Sequence, residues 1–211
     1  MRSLMGWMVG ALLVGGVTMG AAPAHAEEYV NVDQAGDVRA HDLWGDGDMP
    51  SGYRPERRQA DLVGYTVRYG LERVRVELRF RELDRRDPVL HLQARFAYLD
   101  DGELETGIVG VTADRRVPGG EPYFSPVGCD VMWHVGYQAN KAWLSFSASC
   151  IGTPDWIQVN PVAFATDADT SYWFVDSRFP IYGPHGEKQF GKPVHRGVWP
   201  TPPAPPSRVR R

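Results

Sequence analysis

Residues 129–150 read Cys129-Asp-Val-Met-Trp133-His-Val-Gly-Tyr-Gln138-Ala-Asn-Lys141-Ala-Trp-Leu-Ser-Phe146-Ser-Ala-Ser-Cys150. Apolar and polar residues alternate on both sides of Ala139-Asn140, the pattern of two antiparallel strands with one packed face. With Gln138 opposite Lys141, the pairs Tyr137–Ala142, Val135–Leu144, Trp133–Phe146 and Val131–Ala148 fall on one face, and Cys129 meets Cys150. A slip of one residue would send the whole set to the other face. The register predicts Cys129–Cys150 as a cross-strand pair without backbone hydrogen bonds, with Cα atoms about 4.5 Å apart. That separation lies within the range a disulfide tolerates.

A second hairpin is legible upstream. Across residues 61–81 the alternation is broken by Gly70-Leu71, and glycine first in a two-residue loop is the type II′ signature. With Tyr69 opposite Glu72, the pairs Val67–Val74, Tyr65–Val76 and Val63–Leu78 form the packed face. Thr66, Arg68, Arg73, Arg75, Glu77 and Arg79 form the wet one. Further strands are expected at 89–99, with Leu90, Leu92, Ala94, Phe96 and Tyr98 on one side, at 107–112, at 156–159 and at 171–176. About eight short strands bounded by turns indicate an all-β chain, an antiparallel β-sandwich of jelly-roll type forming a single domain.

The ends differ from the middle. Arg2, an uncharged stretch from Leu4 to Met19, and Ala24-His25-Ala26 give the order of a cleaved secretory signal over 1–26. The stretch is short, rich in glycine and followed at once by the cleavage pattern, which argues against a spanning anchor. No cysteine follows it to carry a lipid. Residues 27–60 form a polar lead-in, 61–183 the sandwich, and 184–211 an extended tail with Pro-Thr-Pro-Pro-Ala-Pro-Pro and terminal arginines. Proline at that density packs in neither helix nor central strand, so the tail is expected to be disordered. The mature protein is expected to be secreted, extracellular and without a membrane anchor. An exported chain with two cysteines favours the bridge a second time.

Removing 26 of 211 residues leaves 185, and loss of Arg2 alone leaves 22 basic against 26 acidic side chains, a formal charge of −4. Such a chain has no electrostatic footprint for nucleic acid. It lacks Gly-x-Ser-x-Gly, His-Glu-x-x-His, P-loop and Gly-x-Gly-x-x-Gly patterns. The mature histidines 41, 91, 134, 185 and 195 show no ligand spacing for zinc.

Three features are left as candidates for function. On the wet face of the 129–150 hairpin, Trp143 lies across from Gly136 with His134 and Ser145 next along, an arrangement suited to a sugar or peptide surface. Asp33, Asp37 and Asp61 lead into the first hairpin, with Asp46, Asp48 and the pair Asp167/Asp169 as further oxygen donors, and calcium is the ion that takes such ligands. A catalytic carboxylate pair from distant positions is the third, with Asp130 and Asp176 as its candidates. The leading reading is a non-catalytic binding module for cell-wall glycan or an extracellular protein. The alternative is a small extracellular hydrolase with dispersed catalytic residues. An inhibitor-like protein would need a protruding loop, for which 113–128 is the candidate.

Asp33-x3-Asp37-Val38, Asp61-Leu62 leading to Val67-Arg68-Tyr69, the run Val74 to Leu83, and Cys150-Ile151-Gly152-Thr153-Pro154 before Trp156-Ile157-Gln158-Val159 together resemble a group of exported β-sandwich proteins of actinobacteria. The resemblance spans about 33–183. It implies secretion and a sandwich, and brings no activity or site residue with it.

Overall fold

The computed structural model describes residues 27–42, 52–85, 89–125, 128–166, 172–177 and 190–198. The signal expected over 1–26, Asp46 and Asp48, Asp167 and Asp169, His185 and the proline-rich stretch 200–206 lie outside the described residues. Among the described residues thirteen strands run in chain order: β1 Glu28–Val32, β2 Arg39–Asp42, β3 Gly52–Tyr53, β4 Leu62–Tyr69, β5 Arg73–Phe80, β6 Val89–Asp100, β7 Glu103–Asp114, β8 Glu121–Ser125, β9 Val131–Gly136, β10 Lys141–Ser147, β11 Trp156–Thr166, β12 Tyr172–Ser177 and β13 Val194–His195. One sheet has the order β1-β4-β5-β10-β9. The other has the order β3-β2-β12-β11-β6-β7-β8, with β13 also paired to β11. All of these ladders are antiparallel.

A common core joins the two sheets. Tyr65, Val67, Tyr69, Val74, Val76, Leu78, Leu144 and Phe146 from the first pack with Leu90, Leu92, Ala94, Phe96, Val109, Val111, Ile157 and Val159 from the second. At its centre Phe96 stacks on Phe146 at 5.3 Å, and Phe124 meets both rings at 5.6 and 5.0 Å. Aromatic pairs at such spacings add to what their buried area contributes. The chain is thus an all-β, antiparallel two-sheet structure, and strand β6 buries Leu90, Leu92, Ala94, Phe96 and Tyr98 as its alternation requires.

Both hairpins keep their expected faces and lose their expected registers. In the first, Val67 pairs with Val76 and Tyr65 with Leu78, two residues from the predicted alignment. The corner is Leu71-Glu72, and Gly70 stands in the ladder with its N–H on the Arg73 carbonyl at 2.9 Å. Distant chain sets this turn. Gly197 N donates to Tyr69 O at 3.1 Å, Ala148 N to Glu72 O at 2.8 Å, and the Arg196 guanidinium takes the Leu71 carbonyl. A bulge between Leu62 and Gly64 then turns Leu62 inward in place of Val63, because one extra residue inverts the alternation.

In the second hairpin Trp143 pairs with His134 and Phe146 with Val131, again two residues away from expectation. A 3-10 turn Tyr137–Ala139 and Asn140 in the left-handed region lengthen the connection. Asparagine tolerates that backbone well, and its side-chain carbonyl accepts from Leu83 N at 3.0 Å. A shift of two residues preserves the faces, so Ala142, Leu144 and Phe146 remain buried. The Cys129–Cys150 disulfide is present, with Cα atoms 5.9 Å apart, but it lies outside the ladder. Cys150 sits in the 3-10 turn Ala148–Ile151 that follows β10, and Cys129 precedes β9.

The described residues of the polar lead-in 27–60 supply β1 to one sheet and β2 and β3 to the other. Residues 194–198, placed in the tail by composition, dock through β13 on β11 and through the bridge Gly70–Gly197. The described residues of the segment 113–128 are tied down at both its turn and its strand. Asp114 Oδ1 accepts from Arg116 N and Val117 N, Trp133 Nε1 donates to Gly119 O, and the Tyr137 hydroxyl donates to Pro118 O. Residues 121–125 then pair with β7 as β8.

Candidate functional site

Two places concentrate polar chemistry. The first is the outer face of the five-stranded sheet. Alternation along β4, β5 and β10 points Arg68, Arg73, Arg75, Glu77, Arg79, Lys141, Trp143 and Ser147 away from the core. Trp143 is half-buried, with the Arg75 guanidinium 4.3 Å above its ring and the His134 ring 6.3 Å away. Met132, on the same face of β9, is 48% exposed. Ser145, grouped with Trp143 and His134 from sequence, is only 3% exposed and fully engaged. Its hydroxyl donates to Val74 O at 2.8 Å and accepts from Arg73 Nε at 3.1 Å. It therefore positions Arg73 instead of meeting a ligand.

The registers place like charges together on this face. Arg68 lies directly opposite Arg75, and Arg79 opposite Lys141. Like charges facing one another across strands destabilise a sheet. Two acids relieve part of this, Glu28 on Arg68 at 3.0 Å and Glu77 on Lys141 at 3.2 Å. Arg73, Arg75 and Arg79 have no ion-pair partner among the described residues, and the Nε atoms of Arg75 and Arg79 are buried without an acceptor. At the hairpin end the face opens into a depression of about 430 Å³ lined by Leu71, Glu72, Arg73, Ser147, Ser149 and Thr153.

The second place is a carboxylate cluster where the lead-in crosses between sheets. Asp33 follows β1, and its Oδ1 accepts from Gln34 N. The turn at Gly36, whose φ of +86° suits glycine, delivers Asp37 just before β2. Asp61 stands at the entry to β4, and Asp176 on β12. Asp33, Asp61 and Asp176 are 6, 0 and 2% exposed. One oxygen each from Asp37, Asp61 and Asp176 lie within 4.8 Å of one another. Asp61 Oδ2 accepts from Gly36 N at 2.9 Å and from Arg81 at 3.3 Å, whereas its Oδ1 is buried with no hydrogen bond. Asp176 Oδ2 accepts from Leu62 N. Burial, then the charge of Asp37, pushes the Asp176 carboxyl up to about 8, with Asp33 and Asp61 adding to the rise and the Leu62 N–H opposing it.

Asp37 and Asp61 are thus brought together with Asp33 beside them, and Asp176 completes the group. The latter stood out in the sequence only as a possible half of a catalytic pair. Asp130 is exposed ahead of β9, in the other sheet, and the carboxylates that act on Asp176 are those of Asp37, Asp33 and Asp61. His91, on β6, contacts Thr112 Oγ1 at 2.9 Å, and burial lowers its pKa. No protein-family model, curated protein or solved structure matches the chain. Among the described residues no helix is long and apolar enough to cross a membrane.

Proposed function

We propose that this protein is an exported, non-catalytic binding module whose ligand surface is the outer face of the five-stranded sheet, and that its ligand is an anionic glycan of the cell envelope. The observation that carries this reading is Arg75 lying over Trp143 on a strand face where Arg73, Arg75 and Arg79 have no ion-pair partner among the described residues. The indole holds the Arg75 guanidinium stacked on its face at the surface, and a guanidinium so held forms paired hydrogen bonds with carboxylate or phosphate. An extended polymer suits a long, shallow strip better than it suits a pocket. Export is supported by the order of Arg2, apolar stretch and Ala24-His25-Ala26, by the disulfide, and by the resemblance to exported sandwich proteins.

The test is affinity electrophoresis of the purified protein through gels holding polyuronate, teichoic acid or a neutral glucan. Retardation by one of the anionic polymers and not by the neutral one is expected, with the polymer that retards naming the acidic group. Trp143→Ala and Arg75→Ala should each weaken that retention about tenfold, equivalent to about 1.4 kcal/mol. Equal migration in all gels, or unaltered retention of both variants, overturns the proposal.

A further inference from the structure

We infer that Asp37, Asp61 and Asp176 form a binding site for a hard divalent cation, with calcium the best fit, and that the ion clamps the two sheets where the lead-in passes between them. Geometry comes first. Oxygens bound to one Ca²⁺ sit about 2.4 Å from it, so any two lie within about 4.8 Å of each other. The three carboxylate oxygens meet that condition. The second observation is Asp61 itself, fully buried, with Oδ1 lacking any hydrogen bond. A buried carboxylate oxygen without a partner is costly, and an ion among these carboxylates removes the cost.

Charge points the same way. Three carboxylates bring their negative charge to one place, with Arg81 held 3.3 Å from Asp61 and also donating to Pro55 O. A divalent ion offsets two of these charges and coordinates all three oxygens. The oxygen-only donor set excludes the softer metals that prefer nitrogen and sulfur.

Position gives the ion its consequence. Asp61 opens β4 of one sheet, Asp176 lies on β12 of the other, and Asp37 ends the crossing between β1 and β2. An ion joining them holds the lead-in against both sheets, independently of the glycan face proposed above.

Isothermal titration of the full protein with CaCl₂, paired with thermal melts in CaCl₂ and in EDTA, tests this. One saturable Ca²⁺ per chain is expected, with Kd about 10⁻⁴–10⁻³ M as in extracellular modules and a melting temperature that rises with calcium. Asp176→Asn keeps an acceptor for Leu62 N–H and removes one repelling charge. At pH 8 it should melt at or above wild type in EDTA, below wild type in calcium, and bind Ca²⁺ at least tenfold more weakly. Asp37→Asn should lose affinity similarly, while Asp130→Asn, an exposed acid elsewhere, should not. Absence of Ca²⁺ binding to wild type overturns the site, as does undiminished binding in Asp37→Asn or Asp176→Asn. A glycan retention that survives EDTA would leave the glycan face standing whichever way calcium falls.

Discussion

At the scale of single residues, burial decides what each polar group can do. Tyr69 is fully buried and its hydroxyl donates to Pro154 O at 2.6 Å. Burial, aided by Asp155 and opposed by Arg196, pushes the phenol up to about 12 from its ordinary 10. The folded state thus holds the proton more tightly than the unfolded chain, so this stability is intact below pH 10 and is lost as pH climbs from 10 towards 12. In Tyr69→Phe, urea melts should show about 1 kcal/mol less stability at neutral pH from the lost hydrogen bond, and a shallower decline between pH 10 and 12. A decline as steep as wild type would refute this role for Tyr69. Tyr123, also raised to about 12 by burial, accounts for part of what remains. Ser145 shows the same principle differently: the alternation of β10 places it beside Trp143, and only the neighbouring strand reveals that Val74 and Arg73 already occupy its hydroxyl.

At the scale of elements, period-two alternation is readable in sequence but strand offset is not. Both hairpins shift by two residues, an even number, which leaves every buried face intact and so escapes any test based on hydrophobic pattern. The true offsets come from groups far along the chain, Arg196 and Gly197 at one turn, Leu83 with Asn140 at the other. The bulge at 62–64 is the exception, since it exchanges Val63 for Leu62 in the core. Cross-strand packing also explains a glycine the pattern leaves unremarked. Gly107 lies opposite Phe96, and a Cβ there would fall 2.3 Å from the Phe96 ring and 2.7 Å from Ser125 O. Gly107→Ala should therefore push Phe96 out of the cluster it makes with Phe124 and Phe146. The expected cost is about 1–3 kcal/mol by chemical denaturation, and a variant as stable as wild type would contradict this packing.

At the scale of the whole molecule, two sheets share one core, and the features that join them are the aromatic cluster, the lead-in crossing and the docked segment 194–198. The disulfide acts within the first sheet's edge. Its chain-entropy contribution for a separation of 21 residues is about 3 kcal/mol, and the double variant Cys129→Ser/Cys150→Ser should lose about that much in reversible urea melts under non-reducing conditions. An unchanged midpoint would mean the bridge constrains nothing. The sequence by itself determined the all-β class, the inward sets of β5, β6 and β10 and the partnership of Cys129 with Cys150, because side-chain alternation and a lone cysteine pair are local or arithmetical properties. Only the tertiary structure decided the two registers, the strands within the lead-in and the docking of residues 194–198. It alone drew Asp176 to Asp37 and Asp61, across 115 to 139 residues of chain. Hydrogen bonds and charges that meet across such separations leave no period in the sequence, since their geometry exists only once both sheets have closed on the core.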